Sequence, residues 1–222
     1  MKLDIIMQDI KLKTALFDFD GVIVDSEPIY DVYWNEASER YGLNIKDFAS
    51  SIKGTTMPYI LKKYFSQFSE EFRQMVLRES MEFDQIMPLP PVKGALEFLE
   101  TLKKNGITIG LVTSSDNAKV QRAFNVLNLH NMFDTVVTAD RITRGKPDPM
   151  CYQLAAADLN VSPEDCLVFE DSFAGVEAAT LAKMRIIGLS TTNPAEALED
   201  KVYKVIPDFS NSTFEDYKRW CK

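Results

Sequence analysis

The chain is short of cysteine, histidine and positive charge: 3 Cys, 1 His, and 25 Lys plus Arg against 33 Asp plus Glu in 222 residues. Cys151, Cys166 and Cys221 are scattered without metal-ligand spacing. They spell neither a disulfide framework nor a zinc site, and free thiols with structural roles are expected. His130 stands alone in "LNLHNMF", which reads as a helix end before a strand. A single imidazole cannot serve both a catalytic dyad and a metal cluster, so serine-hydrolase and zinc chemistry lack their parts. The net charge of −8 leaves no basic stripe to release counterions from a phosphate backbone, and no nucleic-acid partner is expected. An anionic substrate must be met by a local cation. No apolar run approaches the roughly 18 residues needed to span a bilayer, so no membrane partner is expected either. The opening "MKLDIIMQDIKL" sets Asp4, Asp9 and Lys11 among apolar residues and lacks the uninterrupted apolar core of a signal peptide. A cytoplasmic monomer is the expectation.

What is present is an ordinary globular composition, 45% hydrophobic and 26% charged, in a chain long enough for one α/β domain with a sizeable insertion. Short apolar runs predict strands at 14–19, 107–112, 135–138, 166–169, 185–189 and 203–206. Between them "GALEFLETLKKNG", "NAKVQRAFNVLNL", "PMCYQLAAADLNV" and "AGVEAATLAKM" carry apolar residues at helical spacing. Strands alternating with helices predict a doubly wound, Rossmann-like parallel sheet. From Ile29 to Pro88 strand patterns are missing and several helical stretches follow one another, broken by "KGTTMP" and Ser69. The expected organisation is an α/β core of residues 1–28 and 89–222 with an inserted all-helical cap domain of residues 29–88. "MPLPPVKG" is the return hinge, because consecutive prolines oppose helix continuation.

"TALFDFDGVIVDSEP" puts two carboxylates, Asp18 and Asp20, at the end of an apolar run. Residues two apart in a strand share a side, so the pair would project together if the strand continued through both. Burying both without compensation costs on the order of several kcal/mol per ion. Either one is protonated or a cation sits between them; an Asp20-Gly21 turn at a hydrogen-bonded strand end is the other reading. "LVTSSDN" ends a second strand with Thr113 and Ser114, followed by Ser115 and Asn117, a run of hydroxyls, N–H groups and an amide suited to an oxyanion. "RGKPDP" sets Lys146 just ahead of a helix start. "CLVFEDSFAGVEAA" ends a third strand with Glu170 and Asp171, and Ser172 reads as a helix cap. All four fall at or just beyond the carboxyl end of a strand or of the loop leaving it, the edge where open parallel sheets bind ligands. The four acidic residues Asp18, Asp20, Glu170 and Asp171 offer hard oxygen ligands that suit Mg²⁺, and with Lys146 they suit phosphoryl transfer.

With these motifs, from about Leu12 to Pro207, the chain resembles the haloacid dehalogenase superfamily of phosphotransferases, in the subgroup with a helical cap after the first strand. The resemblance implies Asp18 as a nucleophile that becomes an aspartyl phosphate, with Asp20 as general acid and then general base. It implies Mg²⁺ held by the Asp18 carboxylate, the Asp20 carbonyl and Asp171, with Glu170 assisting directly or through water. Thr113, the Ser114 N–H and Lys146 would grip the phosphoryl oxygens. Family members that cleave carbon–halogen bonds lack the second aspartate, so dehalogenation is not expected. The β-phosphoglucomutase-like branch is the nearer rival. Its hinge histidine and cap arginine correspond here to Tyr30 and Met57. Both departures favour a phosphatase of a small phosphorylated metabolite, a sugar or polyol phosphate, over a mutase. Lys183 and Pro91 stand where relatives often have glycine, which implies local backbone changes only. In the cap, Lys53, Thr55 and Thr56 are candidates to face the leaving group, and Glu27, near the hinge, to reach the substrate. A receiver-type signalling module shares the phosphorylated aspartate, Thr/Ser, Lys, acidic pair and Mg²⁺. It places its phosphorylated aspartate after a later strand, however, and carries no helical block.

Overall fold

A computed structural model describes residues 13–222; the opening segment "MKLDIIMQDIKL", and with it the start of the expected core, lies outside the described residues. Six strands form one sheet: β1 (Thr14–Phe17), β2 (Thr108–Val112), β3 (Thr135–Val137), β4 (Cys166–Glu170), β5 (Arg185–Leu189) and β6 (Lys204–Ile206). The order is β3-β2-β1-β4-β5-β6 and every pairing is parallel. The chain thus winds outward from β1 in both directions, and the strand order reverses beside β1. The crevice at the carboxyl ends of β1, β2 and β4 is where such sheets hold ligands.

Side chains alternate across the sheet as strand periodicity demands. Ala15, Phe17, Ile109, Leu111, Leu167 and Phe169 face one layer, where α5 (Ala95–Lys104), α6 (Asn117–Leu127) and α9 (Phe214–Trp220) pack. Leu16, Val112, Cys166, Val168 and Ile186 face the other, against α7 (Met150–Asp158) and α8 (Phe173–Leu181). All three cysteines are free and buried. In α8, Ala178 and Ala179 let the helix lie close on the sheet; Gly175 is closer still, since a Cβ there would sit 1.7 Å from Glu170 Oε1.

Between β1 and β2 the chain forms α1 (Glu27–Arg40), α2 (Phe48–Ile52), α3 (Met57–Tyr64) and α4 (Glu70–Ile86) before it reaches α5. Trp34, Ala37, Tyr41, Phe48, Ile60, Phe65 and Val76 close a core of their own there. The two chain crossings that lead to and from these helices are tied together: Asp25 N–H donates to Pro90 O at 2.8 Å and Val92 N–H to Ile23 O at 2.9 Å.

Expected strand limits are met to within two residues, and the largest difference matters. β1 stops at Phe17, not Phe19. The Phe19 carbonyl is taken by the N–H groups of Val22, Ile23 and Val24, a tight turn in which Gly21 has φ +72°. Asp18 and Asp20 are therefore not two positions of one strand. Helix α9 lacked a predicted counterpart; at 7 residues it shows too little periodicity to read, and it is fixed by burial of Tyr217 and Trp220.

Lys183, just past α8, has φ +63° and is exposed. A left-handed conformation costs a non-glycine residue roughly 1–2 kcal/mol, partly offset in glycine by chain entropy. Lys183→Gly is expected to stabilise the fold by about 0.5–1 kcal/mol, a rise of roughly 1–4 °C in Tm. Lys183→Val should lower Tm. The reverse order in thermal unfolding would show that this turn is not strained.

Candidate active site

Asp18 follows the last residue of β1, its N–H still bonded to Phe169 O at 3.0 Å, and its carboxylate accepts from Phe19 N–H at 2.7 Å. Lys146, ahead of α7, lies fully inside: its ammonium is 2.9 Å from Asp18 Oδ2 and 2.5 Å from Glu170 Oε1. Tyr152, on α7, donates to the same Glu170 oxygen at 2.7 Å, and the N–H groups of Asp171 and Ser172 donate to the other. Glu170 is thus saturated with donors. Burial would raise its pKa, but Lys146 and these donors hold it below the usual value. Its observed contacts anchor Lys146 and the start of α8.

Asp171 is different. Burial first, then the charges of Glu170 and Asp18, push its pKa well above normal; Asp18 is raised by burial and Glu170 in the same way. Thr192 donates to Asp171 Oδ2, while Oδ1 is buried with no hydrogen-bond partner. Carboxylate oxygens of Asp18, Glu170 and Asp171 lie within 4.8 Å of one another. An orphaned buried oxygen, three carboxylates and an all-oxygen donor set fit a hard divalent cation. Gly21 keeps that corner open, since a Cβ there would fall 1.9 Å from Asp171 Oδ2.

Asp20 has other partners. Its Oδ1 accepts from the Lys119 ammonium at 2.5 Å and from Ser26 Oγ, and its Oδ2 accepts from Ser115 Oγ at 2.7 Å. Burial acts to raise its pKa, yet Lys119 and the two hydroxyls bring it below normal. Asp18 and Asp20 line one cavity of about 330 Å³ while each is bound by its own lysine.

Thr113, Ser114 and Ser115 line this cavity as well. Thr113 Oγ1 accepts from Ser115 N–H at 3.0 Å, and Ser114 Oγ reaches the Gly54 carbonyl at 2.8 Å, so the 53–56 loop sits on the end of β2. Asn117 is not brought in. It opens α6, is exposed, and spends its N–H on Asp140 Oδ2 at 2.7 Å. Glu27, Lys53 and Thr55 line the cavity; the Lys53 ammonium is 3.3 Å from Glu27 and 2.9 Å from Asp31. Thr56 is buried but turned elsewhere, against Gly145, whose hypothetical Cβ would meet its Cγ2 at 2.6 Å.

Sequence reasoning missed Lys119, Tyr152 and Thr192. Lys119 carried a signal: it shares a helical face with Val120, Ala123 and Phe124, all buried, and a lysine inside an apolar stripe needs an anion. Tyr152 carried a weaker one, as a phenol in the apolar helix after Lys146. Thr192 carried none, being one hydroxyl in a loop.

A family model for haloacid dehalogenase-like hydrolases matches residues 15–189. Validoxylamine A 7′-phosphate phosphatase of Streptomyces hygroscopicus subsp. limoneus is 33% identical over 192 residues, 85% of this chain and 90% of that protein. A phosphorylated carbohydrates phosphatase of Thermotoga maritima is 34% identical over 84% of this chain and 90% of its own length. Among solved structures, β-phosphoglucomutase from Clostridium difficile superposes with a TM-score of 0.80 at 28% identity, covering 94% of this chain and 96% of that one. The acidic cluster at the carboxyl ends of a parallel sheet and the match across most of the sequence lead to one conclusion: the chain belongs to the haloacid dehalogenase-like hydrolase family.

Proposed function

We propose that the protein is a magnesium-dependent phosphatase that hydrolyses a small sugar or polyol monophosphate through an aspartyl phosphate. The observation that carries this reading is the buried convergence of Asp18, Glu170 and Asp171 on one point, with Lys146 bridging two of them. In this reading residues 1–28 and 89–222 are the catalytic core and residues 29–88 the cap, a division supported by the separate apolar core that the inserted helices close. The Asp18 carboxylate, the Asp20 carbonyl and Asp171 would hold Mg²⁺, with Glu170 behind them. When bound, the ion neutralises phosphoryl charge and makes phosphorus more electrophilic.

The rest falls to the chain's own residues. An Asp18 oxygen bonds to phosphorus as the ester P–O bond breaks; the departing electron pair stays on the leaving oxygen, which takes a proton from Asp20. Water then attacks the phosphorus of the aspartyl phosphate and gives a proton to Asp20, releasing inorganic phosphate and the Asp18 carboxylate. Thr113, the Ser114 N–H and Lys146 receive the phosphoryl oxygens.

Two observations favour hydrolysis over mutase chemistry. Tyr30 stands where the mutase branch has histidine, and its hydroxyl is engaged with Asp84 at 2.5 Å; Met57 stands where that branch has arginine. The cap side of the cavity also carries three carboxylates, Glu27, Asp31 and Asp84, against Lys53, which is already paired with two of them. No uncommitted cation lines it, among the described residues, for a second phosphate. The named activities of the two phosphatase relatives support a carbohydrate-like leaving group.

Asp18→Asn should lower turnover of glucitol 6-phosphate by about a thousandfold or more with an unchanged far-UV spectrum. Chelation with EDTA should abolish wild-type turnover, and Mg²⁺ should restore it. Full activity in a folded Asp18→Asn protein would overturn the nucleophile. Appearance of glucose 6-phosphate from β-glucose 1-phosphate with a bisphosphate primer, without phosphate release, would overturn the phosphatase.

The cap carboxylates yield a pH test. Burial raises Glu27 to about 7 and Asp84 to about 6, so both are largely neutral near pH 5.5 and ionised by pH 8. A substrate with a fixed second negative charge should be penalised more at the higher pH. The ratio of kcat/KM for glucitol 6-phosphate over 6-phosphogluconate should rise about tenfold between those limits, and Glu27→Gln with Asp84→Asn should flatten the rise. A ratio independent of pH in the wild type would rule out this charge selection.

A further inference from the structure

Lys119 is fully buried, on the first turn of α6, and it does not line the cavity. Its ammonium has three N–H donors to satisfy. One meets Asp20 Oδ1 at 2.5 Å and another Ser115 Oγ at 3.2 Å; the ammonium also lies 4.6 Å from the centre of the Tyr30 ring. Asp20 is its carboxylate partner. The same Ser115 hydroxyl bonds the other Asp20 oxygen, so Lys119, Ser115 and Asp20 close a ring of hydrogen bonds that fixes the plane of the carboxylate.

The outer side of this ring is made by the inserted helices. Tyr30, on α1, covers the ammonium, and its hydroxyl is bonded to Asp84 on α4. Arg122, one turn along α6 from Lys119, donates to the Asp84 carbonyl at 3.1 Å and to the Met87 carbonyl at 2.7 Å, clamping the end of α4 to the core helix. The residue that grips Asp20 and the residue that grips the return crossing therefore belong to one rigid helix.

We propose that Lys119 is a positioning residue for proton transfer: it holds the Asp20 carboxyl in the orientation that meets the leaving oxygen, and the Tyr30 ring keeps that ammonium dry. This rests on the phosphatase reading, with Asp20 as acid. Lys119 touches neither the cavity nor Asp18, so it acts through Asp20. A buried lysine that only neutralised Asp20 to preserve the fold would affect every substrate alike. One that aims a proton affects substrates according to how much their leaving group needs it.

The test is Lys119→Met, which keeps the stem and removes the charge, assayed by kcat/KM, which reports leaving-group departure. Glucitol 6-phosphate has an alkoxide leaving group that needs a proton; p-nitrophenyl phosphate has one that departs without it. The loss on glucitol 6-phosphate should exceed the loss on p-nitrophenyl phosphate by tenfold or more, within the 10²–10⁴ range of general acid catalysis. Ser115→Ala should change the ratio in the same direction by a smaller factor, and it decides the question if Lys119→Met does not fold. Equal losses on both substrates, or no loss, in the folded variant would overturn the proposal. Asp20→Asn, measured in parallel, separates the causes: if it too shows no leaving-group dependence, the assignment of Asp20 as acid fails, not that of Lys119 alone.

Discussion

Three buried carboxylates, two of them bridged by one ammonium, set the terms for the rest of the structure. Lys146 lies between Asp18 and Glu170 with almost no access to water. Neither side of this arrangement is stable alone: an unpaired buried ion costs several kcal/mol, on the order that a whole domain can spare. Sheet and helices serve to keep these groups together. The small residues of α8 bring its first turn onto Glu170, Ser172 caps that turn by accepting from Gly175 N–H at 3.0 Å, and Tyr152 closes the remaining side. Asp171 adds a third carboxylate with one oxygen unpartnered, and one ammonium cannot balance three ionised carboxylates, which is why burial and neighbouring charge push Asp18 and Asp171 towards their neutral forms. A hard cation would let all three carboxylates ionise, and the cluster that could hold it lies where strand order reverses.

The helical insertion begins immediately after the β1 turn, and this placement has a physical consequence. Asp20, Ser26, Glu27 and Tyr30 fall within eleven residues, so the chain entering the inserted helices also carries groups at the acidic site. The returning strand segment is hydrogen-bonded to the outgoing one, and Arg122 fastens it to α6. Gly54 extends the contact, since its carbonyl is held by Ser114 and any side chain there would strike Ser172. The inserted helices and the sheet edge that carries the acidic cluster are joined by a few specific bonds across the cavity.

Much of this was legible in the sequence because it follows from periodicity. Apolar runs of strand length and helices of period 3.6 gave the parallel sheet, and the strand ends collected Asp18, Thr113 and Glu170 at one edge. The same rule misled at Asp20. Strand alternation holds only while the strand lasts, and the Phe19 carbonyl turns the chain before Asp20 is reached. Asn117 lies outside the cavity lining for a related reason: it opens a helix, where successive side chains diverge by about 100° and closeness in sequence to Thr113–Ser115 does not fix direction. Thr192 and Asn193 were beyond reach, since both come from the loop after β5 and bond Asp171 from 21 and 22 residues away. Long-range loop contacts leave no periodic trace.

Two aspartates two residues apart, chemically identical, receive opposite environments. Burial and Glu170 raise Asp18, and in the proposed mechanism a divalent cation held by the cluster would favour the ionised state that a nucleophile needs. Asp20 starts ionised because Lys119 and two hydroxyls stabilise its charge, the state suited to accept a proton from water. In the proposed mechanism the first half-reaction needs it to carry a proton instead. A phosphoryl dianion entering beside it would supply the change, since added negative charge nearby raises the proton affinity of a carboxylate; loss of the leaving group and consumption of the proton would then restore the base. Separate lysines on Asp18 and Asp20 suit such a cycle. Were one ammonium shared between Asp18 and Asp20, any shift that favoured proton uptake at the acid would also weaken the nucleophile, and the two roles would work against each other.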